Sequence, residues 1–316
     1  MSGKALVLAG VDGSASSFNA VTWAAKMARR RGQSLRVVCA YAAPRFGATS
    51  SDAAFLDVGG AALAEGARAV VDSAISQVKA IHLDVEGHAA PGDAAGVLVE
   101  ASKNASLVVV GTRGKGGFAE RLLGTVSTAL PVHAHCPTVV VPNSWQLAPN
   151  DAAEGSQPLV RRLAVGVDGS EASRVALKHA IDAAIDWQAE LVAVSSMPIA
   201  SGTSLFAWAP GQVDHAAVLA ELDDEIERLI AEELSGRNLP DGFTVRHHAL
   251  DGTASSLLVE LSENVDLVVV GSRGRGGFTG LLLGSTSQAV LHHARCPVMV
   301  VPMRLKQPLA VAGNPR

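Results

Sequence analysis

The chain has 316 residues, 48% hydrophobic, 18% charged and 4% aromatic, with a formal net charge of −4. That balance excludes a disordered or collagen-like chain, and without a basic excess there is no long-range field to draw the protein to nucleic acid. Three cysteines are too few for a disulfide framework. In chain order, the apolar run from Ala5 to Val11 predicts a buried strand, and Ser14 to Ser17 offer N-caps to a helix that reaches Arg31 and stops at Gly32. Asp12 ends that first run far below membrane-spanning length and no small-residue cleavage site follows, so the start reads as the first strand of a cytoplasmic protein with no membrane partner. A second strand spans 35–41. An Ala-, Gly- and Ser-rich loop leads to a helix over 61–79, a weak strand over 82–88 and a helix over 94–102. Then come a strand ending at Gly111, a helix from Thr125 and a last strand over 138–141. The same order returns with strands over 163–167, 191–195, 243–249, 267–270 and 298–301. Helices between strands imply right-handed crossovers and parallel sheets, an α/β fold.

The repetition extends to individual residues. Gly10-Val11-Asp12-Gly13-Ser14 returns as Gly166-Val167-Asp168-Gly169-Ser170, an offset of 156, and the later motifs recur at an offset of 160. A period this long means two whole domains rather than a solenoid, whose repeats run roughly 20 to 50 residues. We place them at 1–142 and 161–303, joined by a Pro-, Asn-, Ala- and Gly-rich linker over 143–160 and followed by a tail over 304–316. Each domain is long enough to bury a core of its own.

The repeated motif with chemical content is Gly, two residues, Gly, nine residues, Gly and a hydroxyl residue. Its first copy is Gly111-Thr112-Arg113-Gly114-Lys115-Gly116-Gly117, closed by Gly124-Thr125-Val126-Ser127. The second is Gly271-Ser272-Arg273-Gly274-Arg275-Gly276-Gly277, closed by Gly284-Ser285-Thr286-Ser287. Each follows an apolar strand, at the strand end where open α/β sheets bind ligands. Glycines there let the backbone turn tightly and approach a ligand, and their N–H groups can face phosphate oxygens. The hydroxyl residue opens a helix whose N-terminus adds partial positive charge for the same anion.

Taken together, Val-Asp-Gly-Ser on the first strand, the paired glycine motifs and His-x2-Cys-Pro before a Val-rich last strand resemble a tandem universal stress protein of the ATP-binding type. The resemblance covers nearly the whole chain, in both halves and in the family's order. It implies two Rossmann-like domains, each a five-stranded parallel sheet of order 3-2-1-4-5, with one ATP per domain between strands one and four. By that resemblance Gly10 and Asp12, or Gly166 and Asp168, hold the nucleoside end. Gly111 to Gly117, or Gly271 to Gly277, wrap the phosphates and ribose. Thr125, Val126 and Ser127, or Ser285, Thr286 and Ser287, bind phosphate at the helix start. Mg²⁺ would accompany the nucleotide as a bridge between its phosphates. The family also pairs through its last strand, which implies an intrachain pseudo-dimer and pairing of two chains as a homodimer.

Other roles fit several of these residues. Asp12 and Asp168 suit a helix cap as well as a ligand contact, and Arg113, Lys115, Arg273 and Arg275 are either solvated or offset phosphate charge. His133, His135 and Cys136, like His292, His293 and Cys296, stand at a helix end in no zinc spacing. Pro131 replaces Leu291 of the other half and predicts a kinked or shortened helix. No Gly-x4-Gly-Lys-[Ser/Thr] run and no acid, base and nucleophile set gathers round the glycine loops. The expectation is a stress-response protein that binds nucleotide and is not an enzyme, with a slow Mg²⁺-dependent ATPase and a nucleotide-independent scaffold as the alternatives.

Overall fold

A computed structural model describes residues 6–42, 53–81, 83–114, 123–145, 159–198, 214–275 and 283–303, with the backbone alone over 53–59. The first half contributes strands β1 (Leu6–Gly10), β2 (Ser34–Tyr41), β3 (Val85–Pro91), β4 (Ala105–Gly111) and β5 (Thr138–Val141). Between them run helices α1 (Ala15–Arg31), α2 (Ala53–Val78), α3 (Ala94–Ala101) and α4 (Thr125–His133). The second half repeats the plan with β6 (Arg162–Gly166), α5 (Glu171–Trp187), β7 (Glu190–Met197), α6 (His215–Leu234), β8 (Val245–Asp251), α7 (Ala254–Leu261), β9 (Leu267–Gly271), α8 (Ser285–His293) and β10 (Val298–Val301).

Within each half the strands are parallel in the order 3-2-1-4-5, as the resemblance implies. The two sheets do not stay apart. β5 and β10 pair antiparallel, Val140 opposite Val298 and Thr138 opposite Val300, so the chain forms one ten-stranded sheet. All four residues of both seam strands are buried, which removes two apolar edges that would otherwise invite aggregation. Buried side chains of both halves then merge into two cores, one on each face. Trp23, Leu35, Val109, Ile181, Leu191 and Met299 belong to the first core. Leu8, Leu98, Val140, Leu258, Val268 and Val300 belong to the second.

Local chemistry explains the helix ends. Ser14 and Ser170 cap α1 and α5 by accepting from the amides of Ser17 and Ser173, and Gly32 ends α1 in the left-handed region at φ 62°. In the second half Gln188 takes that conformation at φ 55°. The weak strand of the sequence reading is β3, displaced toward the C-terminus. It is a sheet edge with no fully buried position, so its residues carry no apolar alternation to fix its bounds, and Pro91 is tolerated there because an edge needs no donor. The helix before it begins at Ala53, two turns earlier than the sequence indicates.

The expected shortening by Pro131 is corrected. α4 keeps nine residues, as α8 does, and closes with the same bond, Ala134 N–H to Leu130 C=O at 2.9 Å against Ala294 to Val290 at 2.9 Å. The proline lies two residues from the helix end, and its ring is buried where the other half has Leu291. A helix this short has little beyond the proline to lose.

Candidate functional site

In the second half, β6 and β9 lie side by side and the chain leaves them in different directions, which opens a cleft at their C-terminal ends. The cavity there measures about 430 Å³. Gly166, Val167 and Asp168 line it from β6 and its exit, and Gly271, Arg273, Gly274 and Arg275 from β9 and the glycine loop. Gly284, Ser285, Thr286 and Ser287 line it from the start of α8. Most of the second half's expected site residues thus meet in one place. Among the described residues Ser272 is the exception: it is buried, its hydroxyl accepts from Met303 N–H at 3.3 Å, and its carbonyl accepts from Gly284 N–H at 2.8 Å. Thr112 is buried likewise and its carbonyl accepts from Gly124 N–H at 2.8 Å. These two residues tie the strand end to the start of the helix.

The two leading glycines of each motif answer to the protein's own packing. A Cβ on Gly111 would strike Ser16 of α1, including its carbonyl carbon at 2.7 Å, and one on Gly271 would meet the Ala172 carbonyl oxygen at 2.9 Å. The first turn of α1 or α5 therefore rests directly on the strand end. A Cβ on Gly114 or Gly274 would strike the carboxylate of Asp12 or Asp168. Gly10 and Gly166 admit Leu98 and Leu258, whose methyl carbons would stand 2.8 and 2.9 Å from an added Cβ.

Asp12 and Asp168 are not the helix caps, which are Ser14 and Ser170, but they organise the same turn. Asp12 Oδ1 accepts from the amide and the hydroxyl of Ser14 at 3.0 and 2.7 Å. Asp168 Oδ1 accepts from Ser170 N–H at 3.0 Å and its Oδ2 from Arg275 N–H at 2.9 Å, so one carboxylate fastens the strand exit to the glycine loop. Burial pushes the Asp168 carboxyl up, but bonds from the Ser170 hydroxyl, the Arg275 and Ser170 amides and the Ser173 hydroxyl outweigh it. The net shift is below the usual carboxylate value, and the group stays ionised at neutral pH.

The helices that follow the two glycine loops begin unusually. α1, α3, α5, α6 and α7 start on Ser14, Asp93, Ser170, Asp214 and Thr253, each with its side chain accepting from a first-turn amide. α4 and α8 start on Gly124 and Gly284, with no side-chain cap. The Ser127 hydroxyl does not face outward, because it donates to the Thr112 carbonyl at 2.9 Å and accepts from Gly124 N–H at 3.0 Å. Ser287 is buried in the same way, with its hydroxyl 2.9 Å from the Gly284 carbonyl. What α4 and α8 offer a ligand is therefore first-turn main-chain amides, with the exposed Thr125 or Ser285 hydroxyl at the rim.

Arg273 is exposed, whereas Arg113 is half-buried with its carbonyl accepting from the Ser14 hydroxyl at 3.2 Å. Lys115, Gly116, Gly117, Gly276 and Gly277 lie outside the described residues, as do most of the linker and the tail. The sequence reading overlooked the wall of the cleft. Ala254, Leu257 and Leu258 of α7 line the cavity. A repeated signal marks them, Gly92-x-Ala94-x2-Val97-Leu98 and Gly252-x-Ala254-x2-Leu257-Leu258. Burial pushes the Cys136 and Cys296 thiols up to about 12, so both stay protonated as core residues. Among the described residues no group of three His, Cys, Asp or Glu side chains is placed to hold a metal ion, and no helix is long and apolar enough to cross a membrane.

Comparison with known proteins agrees with this architecture. The universal stress protein family matches the chain twice, over residues 6–142 and 160–302. Universal stress protein Rv1996 of Mycobacterium tuberculosis is 34% identical over 325 residues, covering 96% of this chain and 96% of that protein. Universal stress protein Rv2623 of the same organism is 35% identical over 309 residues, covering 93% and 95%. A solved universal stress protein from Archaeoglobus fulgidus matches 94% of this chain and 96% of its own at 21% identity with a TM-score of 0.64, a likeness of fold. With both halves matched and relatives similar along their length, the chain belongs to the universal stress protein family as a tandem pair of its domains.

Proposed function

We propose that each half binds one adenine nucleotide, ATP with its Mg²⁺, and that the protein works in the cytoplasm as a stress-response regulator that reads nucleotide occupancy rather than as an enzyme. One observation carries the reading: of the α-helices with a described N-cap, only α4 and α8, which follow the glycine loops, begin without a side-chain cap. Uncapped first-turn amides attract an anion, and five capped helices in the same chain show that capping is otherwise the rule here. A cavity of about 430 Å³ suits a small molecule. The apolar wall of Leu257 and Leu258 gives a base somewhere to pack, and Arg273 and Arg275 line the same space for a phosphate chain. Mg²⁺ would ride on the phosphates and keep most of its waters, which requires no cluster of protein ligands.

The decisive experiment replaces the glycine caps. Gly124→Asp with Gly284→Asp supplies the missing side-chain caps and sets a carboxylate where the anion would bind. The added Cβ atoms meet neighbours no closer than 3.4 Å. Thermal unfolding should show stability unchanged or raised by a few tenths of a kcal/mol, while calorimetric titration should show ATP affinity reduced by at least about tenfold. ATP binding undiminished in the double variant would reject the reading. Titration of the unaltered chain with ATP, ADP, AMP and GTP tests the base, since GTP affinity equal to that for ATP would reject adenine selectivity.

A further inference from the structure

At the second cleft, Arg275 lines the cavity while its guanidinium reaches a carboxylate that lies outside the cavity's lining. Its guanidinium passes over the turn at Asp168 and Gly169 and places Nη2 2.9 Å from Oε1 of Glu225 on α6. The route is open because residue 169 is a glycine at φ 75°, where an added Cβ would collide with the guanidinium. The main chain of Arg275 is held independently, by its N–H donating to Asp168 Oδ2 at 2.9 Å. The backbone is thus anchored while the side chain can swing. With side-chain exposures of 58% and 38%, the Arg275 and Glu225 pair is partly screened by water and weakly held.

A phosphate chain offers the same guanidinium more charge than one carboxylate, and several acceptor oxygens that suit its planar fork. We propose that Glu225 is a competitor built into the second site: it holds Arg275 until a polyphosphate enters, and so lowers the cleft's affinity and sharpens its response to the length of the phosphate chain. This rests on the nucleotide-binding reading above. Because linkage is reciprocal, a ligand that captures Arg275 also releases Glu225, and the cleft's occupancy is then felt on α6.

The test uses the full chain with Gly124→Asp, so that only the second cleft takes up nucleotide, and calorimetry with ATP and AMP. Adding Glu225→Gln should tighten ATP about three- to fivefold, the scale of a screened ion pair, and move AMP less than about twofold. Arg275→Gln should weaken ATP and abolish the effect of Glu225→Gln. ATP affinity unchanged or lowered by Glu225→Gln overturns the proposal while the nucleotide reading stands. An equal gain in the Arg275→Gln background overturns it too, because loss of one negative charge would then act without the arginine. If the Gly124→Asp chain binds nucleotide no better than the doubly substituted chain, the reading and the proposal fall together.

Discussion

Gly114 and Gly274 show that a glycine motif can mark a contact within the protein as well as the approach of a ligand. The pattern located the cleft, because glycine at a strand exit signals something pressed against the backbone. What presses there is the Asp12 or Asp168 carboxylate, and at Gly111 and Gly271 the first turn of a helix. Sequence separation hides such contacts: Asp168 lies over a hundred residues from Gly274 in the chain, and only the pairing of β6 with β9 brings them together. Ser127 and Ser287 were legible as helix-start residues, but whether a hydroxyl faces the ligand or the strand depends on geometry that spacing does not encode. His179 carries a prediction at this scale. Burial, with Arg31, Lys178 and Arg237 nearby and against the pull of Asp182, lowers its pKa from 6.5 to about 4. The folded protein thus holds this imidazole neutral where the unfolded chain would protonate it. Its contribution is complete above pH 6.5 and is lost as pH falls toward about 4. Denaturant unfolding across that range should show His179→Gln with a shallower acid-side loss of stability than the unaltered chain, and parallel profiles would refute it.

At the scale of elements, what could be read was what repeats and what is buried on both faces. β4 and β9, with their Val-Val-Val runs, fell where expected because a strand enclosed by helices is apolar throughout. β3 and the start of α2 did not, since an edge strand and a helix emerging from a small-residue loop carry little periodic signal. The packing of α1 against β4 yields a test. Gly111→Ala forces a methyl into the backbone of Ser16, so the helix must move off the strand. We expect a loss of about 1–3 kcal/mol in urea unfolding, the usual cost of overpacking, where a surface Gly→Ala change would be neutral or stabilising. A midpoint at or above that of the unaltered chain would mean that the helix does not rest there.

The whole molecule shows two copies that have diverged to suit each other. At an offset of 156, Trp23 corresponds to His179 and Trp187 to Arg31. Where α1 meets α5, Trp187 has Trp23 at a centroid distance of 6.5 Å and the Arg30 guanidinium 5.9 Å from its ring. The equivalent place on the other side holds Arg31 beside His179, with Asp186 Oδ2 2.6 Å from its Nε. Two first halves placed face to face would instead set Arg30 against Arg31. The ion pair is only 15% and 28% exposed, so Arg31→Asp should cost about 1–3 kcal/mol and Arg31→Asp with Asp186→Arg should recover most of it. Strictly additive losses in unfolding would show that the contact contributes no coupling.

The antiparallel seam of β5 and β10 also decides where the two proposed sites point. Because the halves run in opposite directions, the C-terminal strand ends of one half leave the shared sheet at the margin opposite those of the other. Two bound nucleotides would neither touch nor repel one another. A small receptor can sense one bay at a time, whereas a receptor that counts both must reach round the entire slab.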